Sequence, residues 1–85
     1  MKAVTLYTTS ICGYCAAAKR LLSAKGVNFT EIDVMRDPSK RPEMVQRSNG
    51  GRTVPQIFIG ETHIGGFDDM NTLEKSGKLD QILAD

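Results

Sequence analysis

Cys12 and Cys15 stand three residues apart in a chain that has no other cysteine. Upstream, residues 3–8 alternate and are rich in β-branched and aromatic side chains, the pattern of a strand. Downstream, residues 14–25 put Ala18, Leu21 and Leu22 on one helical face. The pair thus marks a strand-to-helix junction, and the chain must turn sharply there. Two intervening residues allow the sulfurs to close a short disulfide ring. A first cysteine at a helix N-terminus has its thiolate stabilised by the macrodipole and by unpaired N–H groups. The thiolate is the nucleophile of thiol–disulfide exchange. The pair therefore reads as a redox dithiol, with Cys12 attacking and Cys15, one turn inside the helix, resolving. A structural zinc site needs four ligands, and the chain offers two cysteines and the remote His63. Two small buried hydrophobes would leave the junction placement unexplained.

Composition narrows the setting. At 85 residues the chain is long enough for one domain, residues 1–85, at the small end of what folds without staples. A net charge of +1 gives no electrostatic argument for nucleic acid or an anionic membrane. The apolar runs are only a few residues long, too short to span a bilayer or to act as a leader. The expected setting is cytoplasmic, where a lone Cys-x-x-Cys is catalytic or metal-binding rather than a structural staple.

Further elements follow from pattern and punctuation. Gly26 stands where a left-handed helix cap belongs. Residues 27–34 read as a second strand, and Asp37-Pro38 as the start of a second helix that fades in residues 48–51. Residues 53–59 read as a third strand with Pro55 near its beginning. Gly60-Glu61 reads as a two-residue hairpin turn into a short strand at 62–64. A third helix is expected from about Asp68 to Gly77, with Met70 and Leu73 inward, followed by a helical turn using Leu79, Ile82 and Leu83. The order is βαβ, α, ββα: an α/β fold with a four-stranded mixed sheet covered by helices on both faces. Tyr7 reads as strand packing, and Met35, Met44 and Met70 as core fillers. His63 is given no role.

Taken together, these pieces resemble the thioredoxin fold, and more narrowly the small dithiol glutaredoxins of bacterial type. Cys12-Gly13-Tyr14-Cys15 resembles the family's Cys-Pro-Tyr-Cys, and Thr53-Val54-Pro55 its Thr-Val-Pro with a cis proline. Gln56-Ile57-Phe58-Ile59 resembles the strand that follows, and Gly65-Gly66-Phe67-Asp68-Asp69 the family's Gly-Gly-x-Asp-Asp turn. Two positions depart from the pattern: Thr9 stands where the family usually has lysine, and Gly13 replaces the motif's proline.

The resemblance implies a glutathione-dependent disulfide oxidoreductase acting on glutathionylated and disulfide-containing proteins. Glutathione would be the reducing co-substrate and the working form a monomer. Tyr14 would stand exposed beside the sulfurs. Thr53, Val54 and Pro55 would form the docking edge, the backbone at Val54 pairing with the cysteine of glutathione. Gly66, Phe67, Asp68 and Asp69 would hold the γ-glutamyl end: N–H groups of Phe67 and Asp68 for its carboxylate, and the carboxylate of Asp68 or Asp69 for its ammonium. The same residues also satisfy an ordinary helix cap with an acidic first turn. Arg47 is the candidate for the glycyl carboxylate, with Gln46 and Arg52 as substitutes. The alternative implied by Gly13 is a glutathione-ligated [2Fe–2S] carrier, in which Cys12 is the ligand and two protomers share the cluster.

Overall fold

The computed structural model describes residues 1–84. Its elements are β1 (Val4–Thr8), α1 (Gly13–Ala24), β2 (Thr30–Asp33), α2 (Lys40–Arg47), β3 (Gln56–Ile59), β4 (Thr62–Gly65), α3 (Phe67–Lys75) and α4 (Leu79–Leu83). The strands lie in the order β2-β1-β3-β4. β1 pairs parallel with β2, and the remaining pairs are antiparallel. This is the thioredoxin fold, with the expected mixed sheet and helices on both faces.

Alternation along the central strands divides the apolar side chains between two faces. One face carries Val4, Leu6, Ile57 and Ile59 against Ala18 and Leu22 of α1, Met70 of α3, and Leu79 and Leu83 of α4. The other carries Tyr7 and Phe58, with Val34, against Met44 of α2. The three helices of the first face are tied by Lys25, which caps the C-terminus of α1. Its Nζ lies 2.7 Å from Glu74 Oε1 and 2.8 Å from Asp80 Oδ1. Glu74 is therefore spent on Lys25.

Glycines end two helices in the expected way: Gly26 and Gly77 both have positive φ, 73° and 76°. Gly60 alone supplies the positive φ of the β3–β4 turn, 59°, the pattern of a type II′ hairpin.

Three elements begin later than the sequence reading places them. Strand β2 is shorter, Thr30–Asp33, because Val27 enters the core without pairing. Asp33 Oδ1 then accepts the N–H groups of Met35 and Arg36 at 2.9 and 3.1 Å, turning the chain out of the sheet. Met35 is consequently 47 % exposed and is no core filler, unlike Met44 and Met70. Helix α2 starts at Lys40, since Asp37 and Pro38 accept tight turn bonds from Lys40 and Arg41, and the Asp37 carboxylate takes the Ser39 hydroxyl. Thr53, Val54 and Pro55 precede β3 instead of opening it, and the Val54–Pro55 bond is cis.

Tyr7 does more than pack. Its buried hydroxyl donates to Glu43 and accepts from Arg47 Nη1 at 2.8 Å, joining the central strand to α2. The Tyr7 bond holds the Glu43 carboxyl below its ordinary value of 4.5. A group shifted down in this way stabilises the fold above its unfolded pKa and loses that contribution as pH falls through the folded one. Tyr7→Phe is expected to cost about 1 kcal/mol at pH 7, a modest figure because Glu43 remains partly hydrated. In urea unfolding the gap between wild type and variant should narrow as pH drops below about 4.5; a constant gap would place the cost elsewhere.

Candidate active site

Cys12 is the N-cap of α1. Its backbone is extended (φ −96°, ψ 116°), and its Sγ accepts the N–H of Cys15 at 3.2 Å. A sulfur in the place usually held by a serine or aspartate oxygen thus receives one of the helix's unpaired donors. The thiol of Cys12 in turn lies 3.6 Å from the carbonyl oxygen of Val54, to which it donates. Both thiols are free; Cys12 is half-buried and Cys15 only 1 % exposed. Burial, reinforced by the hydrogen bond with Cys12, pushes the Cys15 thiol up to about 12. The two sulfurs are thereby differentiated: one open at a helix N-terminus, the other sealed and protonated. Thr9 is buried directly beneath, its carbonyl accepting the Cys12 N–H at 3.5 Å, so no side-chain cation enters the site from that position.

A groove of about 560 Å³ opens beside the cysteines, within the usual size range of small-molecule sites. Tyr14, 64 % exposed, borders one side, and Thr53, Val54 and Pro55 form the floor. Gly66, Phe67, Asp68 and Asp69 close the far end at the start of α3. Eight of the residues expected beside the dithiol are therefore brought together there. The first N–H groups of α3, those of Phe67 and Asp68, have no intrahelical acceptor. The two aspartates differ in commitment. Asp69 Oδ2 accepts the Gly66 N–H at 2.9 Å, closing the helix cap, whereas Asp68 is exposed in the first turn without that duty. Gly65 has φ 114°, and a Cβ there would meet Asp69 Oδ2 at 2.4 Å, so this turn depends on glycine.

Arg47 does not border the groove. Its guanidinium is held by the Tyr7 hydroxyl and lies 4.4 Å above the Phe58 ring centroid. Gln46 and Arg52, its expected substitutes, line a neighbouring apolar groove walled by Pro38, Pro42 and Val45. Besides Gly51 and Gly65, two polar groove residues escaped the sequence reading, Gln56 and His63, whose Oε1 and Nε2 lie 2.6 Å apart. The available signal was a glutamine in an otherwise apolar strand, Gln56-Ile57-Phe58-Ile59, where a buried polar group requires a partner.

A family model, Glutaredoxin, matches residues 4–64. The chain belongs to the glutaredoxin family. It is 51 % identical over 84 residues to a Pseudomonas aeruginosa protein named Glutaredoxin, covering 99 % of both chains. It is 51 % identical over 83 residues to Glutaredoxin 3 of Escherichia coli K12, covering 98 % of this chain and 99 % of that one. Among solved structures, a buckwheat glutaredoxin–glutathione complex superposes with a TM-score of 0.87 at 30 % identity, covering 96 % of this chain and 76 % of that chain. Membership of the family makes this glutaredoxin a thiol–disulfide oxidoreductase. No helix among the described residues is long and apolar enough to cross a membrane.

The difference between the sulfurs predicts selective chemistry. Limited iodoacetamide treatment of the native protein at pH 8 should label Cys12 and leave Cys15 untouched until the chain is unfolded. Peptide mass mapping reads the result, and comparable labelling of both would contradict the burial and protonation of Cys15.

Proposed function

We propose that this chain works as one monomeric domain, reducing glutathionylated proteins and protein disulfides with glutathione as the electron donor. The observation that carries the reading is the continuity of the groove, from Cys12 across Val54 to the start of α3. Glutathione is an extended tripeptide with carboxylates at both ends and an ammonium at one. Its cysteine would pair with the Val54 backbone, which brings its sulfur to Cys12. Its γ-glutamyl carboxylate would take the N–H groups of Phe67 and Asp68, and its ammonium the Asp68 carboxylate, since Asp69 is occupied as a cap. Thr53, Pro55, Gly66 and Tyr14 would supply the walls. For the glycyl carboxylate, Arg47 would have to leave Tyr7 and Phe58, and Gln46 and Arg52 would have to reach across from the neighbouring groove.

The Cys12 thiolate attacks the glutathione sulfur of a mixed disulfide. The Cys12–glutathione disulfide forms, the protein–glutathione bond breaks, and the protein sulfur leaves as a thiolate that takes up a proton. A second glutathione thiolate attacks the glutathione sulfur of that intermediate, releasing oxidised glutathione and restoring Cys12. For an intramolecular protein disulfide, Cys15 resolves instead and closes Cys12–Cys15. That step requires Cys15 to lose a proton held tightly by burial, which favours glutathione wherever glutathione fits. A glutaredoxin potential of about −200 to −230 mV lies above a cytosolic glutathione poise of about −220 to −260 mV, so the cytoplasm would keep the pair reduced.

Steady-state reduction of a glutathionylated peptide, coupled to glutathione reductase, tests this directly. Cys15→Ser should keep at least half of the wild-type rate, while Cys12→Ser should lose more than a thousandfold. Wild-type activity that appears only with a thioredoxin reductase would overturn the glutathione dependence.

A second reading, a glutathione-ligated [2Fe–2S] carrier, is favoured by one observation: a Cβ at Gly13 would meet nothing within 4 Å, so the face over the dithiol is open. The donor set fits only an assembled site. No group of three metal-ligating side chains occurs among the described residues, and Cys15 is sealed. Each chain would contribute Cys12, and two glutathione thiolates would complete the four sulfurs such a cluster takes. When bound, the cluster would sequester the nucleophile. Anaerobic reconstitution with iron, sulfide and glutathione should give visible absorption and a dimer on gel filtration; a colourless monomer would remove this reading and leave the reductase intact.

A further inference from the structure

We propose that His63 is a positioning residue of the groove, acting through Gln56 on the backbone that carries Val54. Its effect on turnover rests on the reductase reading; its geometry does not. Gln56 is 5 % exposed, so its amide must be satisfied inside the protein. The Nε2 of Gln56 donates to the Thr53 carbonyl at 2.9 Å and reaches Thr53 Oγ1 at 3.5 Å. Its Oε1 lies 2.6 Å from His63 Nε2. A carbonyl can only accept, so the amide must turn its NH₂ toward Thr53 and its oxygen toward His63. His63 Nε2 then carries a proton, in the neutral ring as in the charged one.

Both ends of this relay are anchored. The His63 ring lies against Phe58, with centroids 4.9 Å apart, and Arg47 sits over that same Phe58 ring. The residue after Thr53 is Val54, whose carbonyl oxygen lies 3.6 Å from Cys12 Sγ. Space for the amide is kept by Gly51, where a Cβ would come within 2.8 Å of Gln56 Nε2 and 2.6 Å of Ser48 Oγ. A surface histidine on β4 thus sets the orientation of a buried amide on β3, and that amide holds the segment on which the substrate's cysteine must dock. Losing the Nε2–H donor frees the amide to rotate and loosens Thr53 and Val54, without touching either sulfur.

Three full-length proteins test the relay: wild type, His63→Phe, which keeps a ring on Phe58 but no donor, and His63→Gln, which restores an N–H. Backbone ¹⁵N order parameters of Thr53 and Val54 should sit near the rigid value of about 0.85 in wild type, fall toward about 0.6 in His63→Phe and recover in His63→Gln. KM for a glutathionylated peptide should rise about three- to tenfold in His63→Phe with kcat within twofold, and His63→Gln should rescue both KM and the thermal midpoint that His63→Phe lowers by leaving the Gln56 oxygen unpaired. Unchanged order parameters in His63→Phe would overturn the relay, as would a fall in kcat with KM unchanged. If wild type shows no glutathione turnover, the reductase reading fails alone, and the order parameters still decide whether the relay exists.

Discussion

The hydrogen bond from the Cys15 N–H to Cys12 Sγ joins the fold and the chemistry of this glutaredoxin in one contact. A helix needs an acceptor at its first turn, and here the acceptor is the Cys12 sulfur. The contact fixes where α1 starts, and therefore which face of the helix turns inward. Ala18 and Leu22 then fall on the sheet, and Cys15 falls beneath the surface. The strand that delivers Cys12 is central in the sheet, flanked by β2 and β3, so the sulfur is presented from the most constrained part of the backbone. The same sulfur reaches across to the Val54 carbonyl, which brings the end of β1 to the approach of β3.

The two faces of the sheet have different tasks. Beneath α1, α3 and α4 the packing is apolar and is closed at its rim by Lys25 with Glu74 and Asp80. Both carboxylates raise the Lys25 ammonium above its ordinary range, so this clamp holds its charge throughout the physiological range. Beneath α2 the packing is mixed. Tyr7, Glu43 and Arg47 form one polar set, and Gln56, His63 and Thr53 form another, with Phe58 between them. Polar interiors specify orientation where apolar ones only specify proximity, and this second face is the one that borders the groove.

Much of this was legible in the chain because its signals are local. The dithiol, the helical face of Ala18 and Leu22, and the left-handed Gly26 and Gly77 each depend on neighbours within about one turn of chain. What escaped depends on distant partners. Arg47 is claimed by Tyr7, forty residues earlier, and Glu74 by Lys25, so neither position revealed its use. Met35 points outward because the Asp33 carboxylate captures two N–H groups and ends the strand early, a choice that an apolar pattern does not encode. The roles of Asp68 and Asp69 were interchangeable by composition and were separated only by the turn at Gly65, which brings one carboxylate back to the Gly66 N–H.

A sulfur that caps a helix carries a thermodynamic consequence. Closing a Cys12–Cys15 disulfide would tie up the capping sulfur at the N-terminus of α1, so oxidation would weaken the cap that reduction leaves intact. The free-energy difference between the two forms of the folded chain is also the difference that sets its reduction potential relative to the unfolded dithiol. A side-chain cap is worth about 0.5–2 kcal/mol, and at about 30 mV per 1.4 kcal/mol this is a bias of roughly 10–40 mV toward the reduced state. The start of one helix thereby acts as part of the protein's electrochemistry, and any change to that first turn retunes its electron affinity as well as its stability.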